Sequence, residues 1–147
     1  MRIESSVFNR RKRNLFNVIE IIRNKLANEL IPFENYMIVD SMPLEVCKLS
    51  IAARSKISSD NYVTAPDKGN CASQKLHYYG YKFNAVSTLK GVFKSFEITK
   101  ASLHDIHYLK NIKTEFQDCT IIGDKGYLSA DYQLDLFETK ILLWKCP

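Results

Sequence analysis

Two short runs of strand-forming residues each stop on an aspartate. Tyr36-Met37-Ile38-Val39 precedes Asp40, and Cys119-Thr120-Ile121-Ile122 precedes Gly123-Asp124. Short apolar runs bounded by turn residues fit strands buried on both faces, as in sheets that carry helices. If the two strands lie side by side in parallel, their carboxyl ends meet at one edge, where open α/β sheets bind ligands. Two carboxylates at that edge repel each other unless a cation bridges them. Hard oxygen donors suit a divalent ion such as Mg²⁺, which keeps waters for chemistry. The same spacing is also compatible with two aspartates that merely close strands in solvated turns.

The rest of the pattern supplies a frame for those strands. Leu15, Ile19, Ile22, Leu26 and Leu30 recur every three or four residues, which places them on one face of a helix. Pro32 ends that helix, because it lacks an N–H and biases the residue before it away from the α region. Met42-Pro43 is expected to break the first strand, and residues 50–73 read as a long polar loop. Between Lys75 and Thr99, two runs rich in Tyr, Phe, Val and Ile flank Lys90-Gly91, the signature of a hairpin. Ser102, with Asp105 three residues on, reads as the cap of a helix carrying Leu103, Ile106, Leu109 and Ile112. Ser129 is expected to cap a last short helix, and Ile141 to Trp144 to form a final strand. The expected fold class is therefore α/β, with a mixed sheet: strand, hairpin, helix, strand, helix, strand, after an N-terminal helix.

Composition excludes several alternatives. At 147 residues, with 46% hydrophobic and 25% charged residues, the chain has the size and make-up of an ordinary globular domain. No stretch approaches the roughly 18 apolar residues of a membrane span, and the basic start has no apolar run typical of a secretory signal. Cys47, Cys71, Cys119 and Cys146 are scattered, which indicates neither a zinc knuckle nor a disulfide framework. They read as reduced cysteines of a cytosolic protein. A net charge of +5 favours an anionic partner modestly.

Four motifs in order sharpen this reading: Ile38-Val39-Asp40-Ser41-Met42-Pro43, Gly80-Tyr81-Lys82-Phe83, Ala101-Ser102-Leu103-His104-Asp105 and Gly123-Asp124-Lys125-Gly126-Tyr127. Together they resemble the DDE transposases of bacterial insertion sequences, most closely the IS982 family, from about Phe8 to Glu138. The resemblance implies an RNase H-like core with a five-stranded mixed sheet, in which metal-binding acids close the first and fourth strands. It makes Asp40 the first catalytic and metal-binding acid and Asp124 the second. It implies Mg²⁺ (or Mn²⁺) as cofactor, and DNA as partner, both insertion-sequence ends and target. It also implies a cytoplasmic, nucleoid-associated bacterial protein. The family's third acid is a glutamate on a later helix, which this sequence lacks. Glu138, Asp131 and Asp135 share one face of a short helix and read as a solvated face. The chain thus resembles a fragment truncated at both ends, with residues 1–34 a basic helical segment and residues 35–147 a partial core. The expected function is metal-dependent DNA cleavage and strand transfer, impaired or lost here. The alternative is a non-catalytic DNA-binding remnant that modulates a full-length transposase through hetero-oligomers, homo-oligomers being the other expected assembly.

Other residues carry further expectations. Arg10, Arg11, Lys12 and Arg13 are suited to gripping a DNA backbone. Read at a helix start, they conflict with the helix dipole, which favours a phosphate role for them. Lys75, Lys82 and Lys125 are further candidates for phosphate contact, Lys125 because it directly follows the second acid. The strip His77, Tyr78, Tyr79 and Tyr81 offers rings for base stacking, although strand alternation assigns half of them to the core. His104 and Asp105 are placed by the resemblance at the active-site edge, where they also suit capping and packing. His104 and His107 lie three apart, a spacing open to two metal ligands, with no third partner evident nearby.

Overall fold

In the computed structural model the described residues are 5–31, 34–127, 132, 134, 136 and 141–145, the last five and Ser5, Lys113 and Lys125 by backbone. The chain divides into two compact units, Met1–Glu34 and Asn35–Pro147.

The first unit contains two helices, α1 (Ser5–Asn14) and α2 (Phe16–Leu30). Of the basic cluster, Arg11, Lys12 and Arg13 lie in the last turn of α1, with Arg10 just before it, not at a helix start. Positive charge there complements the carbonyl end of the dipole, so the expected conflict does not arise. α2 ends at Leu30, with Ile31 out of the helical region at φ −144° and ψ 88° before Pro32, in line with the steric demand of proline. Ile19, Ile22, Leu26 and Leu30 are helical as expected, whereas Leu15 is the turn residue between α1 and α2, and all five are exposed.

The second unit is a mixed sheet. Its strands are β1 (Tyr36–Lys48), β2 (Asp67–Cys71), β3 (Leu76–Thr88), β4 (Phe93–Lys100), β5 (Cys119–Gly123) and β6 (Ile141–Lys145), with helix α3 (Ile106–Glu115) between β4 and β5. β1 pairs antiparallel with β3 and parallel with β5, and β5 pairs parallel with β6. On the far side of β3, β2 and β4 lie end to end: β4 pairs with Tyr81 to Ser87 and β2 with Leu76 to Gly80. The α/β class and mixed sheet match expectation, as do the last strand and the hairpin. Gly91 sits at φ +81° in the hairpin turn, a conformation glycine adopts without steric cost.

Three details differ from the sequence reading. β1 does not stop at Asp40 but runs through Pro43 to Lys48. Its parallel pairing with β5 ends at Val39, so Pro43 occupies a one-sided stretch of strand, the situation proline tolerates. β1 is also buried on one face only: Met37 and Val39 are buried, whereas Tyr36 and Ile38 are exposed. Finally, the expected loop contains β2, a sixth strand. Asp67-Lys68-Gly69-Asn70-Cys71 has poor strand propensity, but β3 outruns β4 and leaves an edge that a tight turn, with Lys75 at φ +50°, folds β2 onto.

The core lies between the sheet and α3. Met37, Val39, Val86, Cys119 and Ile121 pack with Tyr108, Leu109 and Ile112 of the helix, joined by Tyr127 and Leu136. α3 begins at Ile106 rather than at Ser102, because the Ser102 hydroxyl donates to Asp67 Oδ2 at 2.7 Å instead of capping a helix. Ser129 and the acids Asp131, Asp135 and Glu138 lie outside the described residues.

Candidate active site

The register of the central strands sets the site. Val39 pairs with Gly123 across the parallel β1–β5 ladder. Asp40 and Asp124 therefore each follow the last paired residue of two adjacent strands, which in a sheet run about 4.8 Å apart. Gly123 makes the approach possible, since a Cβ on it would meet Val39 Cγ1 at 2.8 Å. Both aspartates are exposed, and both line one open pocket of about 250 Å³ with Ser41, Lys82, Asp105 and Tyr127. Asp40 Oδ1 accepts the N–H of Ser41 at 2.7 Å.

A third carboxylate lines the pocket but is already engaged. Lys82 Nζ donates to Asp105 Oδ1 at 2.7 Å and to the carbonyl of Leu103 at 2.7 Å. The pair is largely shielded, with the two side chains 15% and 23% exposed. Gly126 lets that carboxylate come close: a Cβ there would meet Asp105 Oδ2 at 3.1 Å. Lys82 and Asp105 thus brace the turn that follows Asp124, in which Tyr127 N–H donates to the carbonyl of Asp124 at 3.0 Å. Tyr127 is buried beneath the pocket. Its phenol is pushed well above the ordinary value, first by burial and then by the carboxylates of Asp105 and Asp40, so it stays neutral at physiological pH.

The other expected site residues are spread more widely. His104 caps through one ring nitrogen: its Nδ1 accepts the N–H of Ile106 at 3.3 Å. Lys75 is exposed in the β2–β3 turn. Lys125 opens a 3₁₀ turn directly after Asp124. Arg10, Arg11, Lys12 and Arg13 are exposed on α1, in the other unit. Of the aromatic strip, Tyr78 is core, and Tyr81 donates its hydroxyl to the Thr64 carbonyl at 2.8 Å. Among the described residues, no group of three His, Cys, Asp or Glu is arranged to hold a metal. Sequence reasoning missed the Lys82–Asp105 pair, although both residues sit in motifs it had singled out.

Residues 32–145 match the family model described as a transposase DDE domain. This chain belongs to that family. A cryo-EM structure of a piggyBac transposase synaptic complex with hairpin DNA is similar to it, at 12% identity and a TM-score of 0.47. The likeness covers 97% of this chain and 30% of that one, so the DDE domain described here spans under a third of that protein's length. No curated protein matches. Among the described residues, no helix is long and apolar enough to cross a membrane.

Proposed function

We propose that the pocket is the catalytic centre of a DNA transposase, with Asp40 and Asp124 as its paired acids. The observation that carries this reading is their register: each follows the last paired residue of two adjacent parallel strands, inside the region that matches the DDE family. Two exposed carboxylates on one pocket are hard oxygen donors suited to Mg²⁺ or Mn²⁺, ions that complete their shell with water. Asp40 and Asp124 would hold such an ion, which supplies charge stabilisation and activation of the attacking oxygen in phosphodiester cleavage. The protein's own part is placement. The parallel ladder fixes the spacing of the acids, the Lys82–Asp105 brace holds the turn carrying Asp124, and Tyr127 floors the pocket without adding charge.

In keeping with the motifs, we assign the domain to an insertion-sequence transposase of the IS982 type, acting on DNA ends and target as an oligomer. With two exposed acids in the pocket and the third held by Lys82, metal binding is the more sensitive readout and strand cleavage is slow. The test pairs Mn²⁺ binding with nicking of supercoiled plasmid, comparing the natural chain with Asp40→Asn and Asp124→Asn. Each substitution is expected to weaken Mn²⁺ binding at least tenfold and abolish any nicking. Unchanged Mn²⁺ affinity in both variants would exclude the assignment.

A further inference from the structure

The acidic pocket continues into a second, shallower groove of about 500 Å³, and Asn70 and Lys82 belong to both linings. The two differ in chemistry. Three aspartates, Asp40, Asp105 and Asp124, line the pocket, and no carboxylate lines the groove. Instead, Lys68 and Asn70 of β2, His77 of β3 and His104 before α3 face it, with Leu103 as an apolar wall. Lys68, Asn70, His77 and His104 are all exposed. Asp67, which begins β2, is occupied: it accepts from the Ser102 hydroxyl and from the N–H of Lys68, both at 2.7 Å. These bonds, the Ser102 one first, hold its carboxyl below the usual range. His104 has a fixed tautomer, because Nδ1 accepts from Ile106 N–H. Its ring proton therefore sits on Nε2, which makes that atom a donor.

A nucleic-acid strand whose reacting phosphate enters a pocket lined by three aspartates gains no electrostatic affinity there. Its binding has to come from the flanking phosphates, and these need donors free of carboxylate competition. We propose that the groove over β2 is the track of the DNA strand flanking the reacting phosphodiester, with backbone phosphates held by Lys68, His77 and His104. This rests on the reading of the pocket as a transposase centre. It also gives β2 a purpose, since folding this segment onto the free edge of β3 builds the groove's outer wall.

The test is fluorescence anisotropy of the full chain with a labelled single-stranded DNA oligonucleotide, in EDTA so that no cleavage occurs. The double variant Lys68→Gln/His77→Gln is expected to bind about tenfold more weakly at low salt. Neutralising Lys68 alone lowers the slope of log affinity against log salt by about 0.7, the single-strand value per phosphate contact. Lys68→Arg, which keeps the charge, retains the affinity, and a thermal melt confirms that each variant folds. Natural affinity in the folded double variant would overturn the groove. If binding then falls only on neutralising Arg10 to Arg13, the DNA track lies on α1, while the pocket reading still stands on its Mn²⁺ test. No binding of DNA by the natural chain at low salt would sink the groove and the transposase reading together.

Discussion

The two faces of the sheet are built from the same strands and are covered very differently. One carries Met37, Val39, Val86 and Ile121 against Leu109 and Ile112 of α3. The opposite phase of the strands leaves Ile38, Met42, Phe93 and Ile98 37–55% exposed, with Phe83 stacked on Phe96 and edge-on to Phe93. Asp40 belongs to that exposed phase of β1, next but one to Ile38 and Met42. Alternation thus divides the work of one strand. Every second residue fixes the fold, and the residues between are free to carry chemistry.

The sharpest way to break this contrast is to truncate one residue on each face. Leu109 is fully buried, and Leu109→Ala should cost about 2–5 kcal/mol of unfolding free energy, the transfer term plus the cavity left behind. Ile98→Ala should stay within about 0.5 kcal/mol. Urea titrations of the two variants decide it: a comparable loss at Ile98 would mean that the second face is covered in solution. A smaller effect tests the ladder beside the pocket. A Cβ on Gly80 would meet the Leu44 carbonyl oxygen at 2.1 Å, where β1 bulges between Glu45 and Cys47. Gly80→Ala should therefore cost about 1–3 kcal/mol through backbone displacement, read as a lower urea midpoint with unchanged slope.

The covered face also carries a pH signature. Tyr108 and Tyr127 are buried in it. Burial, the largest cause for both, raises Tyr108 to about 12 and Tyr127 further. A folded-state value above the unfolded one means that the contribution is complete below the unfolded value near 10. It is then lost as pH rises toward the folded value. Stability should therefore fall above pH 10 by up to about 1.4 kcal/mol per pH unit for each tyrosine. Tyr108→Phe should remove one share of that slope, measured as urea midpoints between pH 9 and 11. A slope unchanged in Tyr108→Phe would show that the ring is solvated.

Which parts of this architecture the sequence discloses follows from how local their causes are. The β3–β4 hairpin needs Gly91 and its flanking strand formers, and α3 needs the spacing of Leu109 and Ile112, all close in sequence. The meeting of Asp40 and Asp124 was legible because two apolar runs with one design suggest parallel neighbours. β2 was not, since its residues are weak strand formers and its cause is the unpaired end of β3. The extent of β1 past Pro43 likewise depends on where β5 stops. The brace at the pocket was hidden for the same reason: Lys82 and Asp105 are 23 residues apart, and no periodicity links them. The stripe on α2 shows the converse limit. Spacing identifies the helix but says nothing of what, if anything, covers its face.

That brace gives the next effect in size. A shielded ion pair with hydrogen bonds to both partners leaves an uncompensated charge when one side is removed. Lys82→Met and Asp105→Asn should each cost about 1–2 kcal/mol, and the double variant less than their sum. Simple additivity in the cycle would mean that the two side chains do not act as a unit. If they do, both single variants also weaken Mn²⁺ binding, because the turn carrying Asp124 loses its support.

The smallest expected effect is at the acid itself. Asp40 is exposed, and the hydrogen bond it accepts from Ser41 N–H can equally be accepted by an amide oxygen. Asp40→Asn keeps the shape and removes a charge that faces Asp124 across the ladder. Repulsion relieved and solvation lost are of similar size for exposed groups, so the unfolding free energy should change by no more than about 0.5 kcal/mol. The same substitution is the one expected to weaken metal binding at least tenfold and abolish nicking. A residue that matters to the site and not to the fold is what the exposed phase of β1 predicts. A loss above about 1.5 kcal/mol in urea would make Asp40 part of the scaffold, and the division of labour along the strand would fail at the residue on which it matters most.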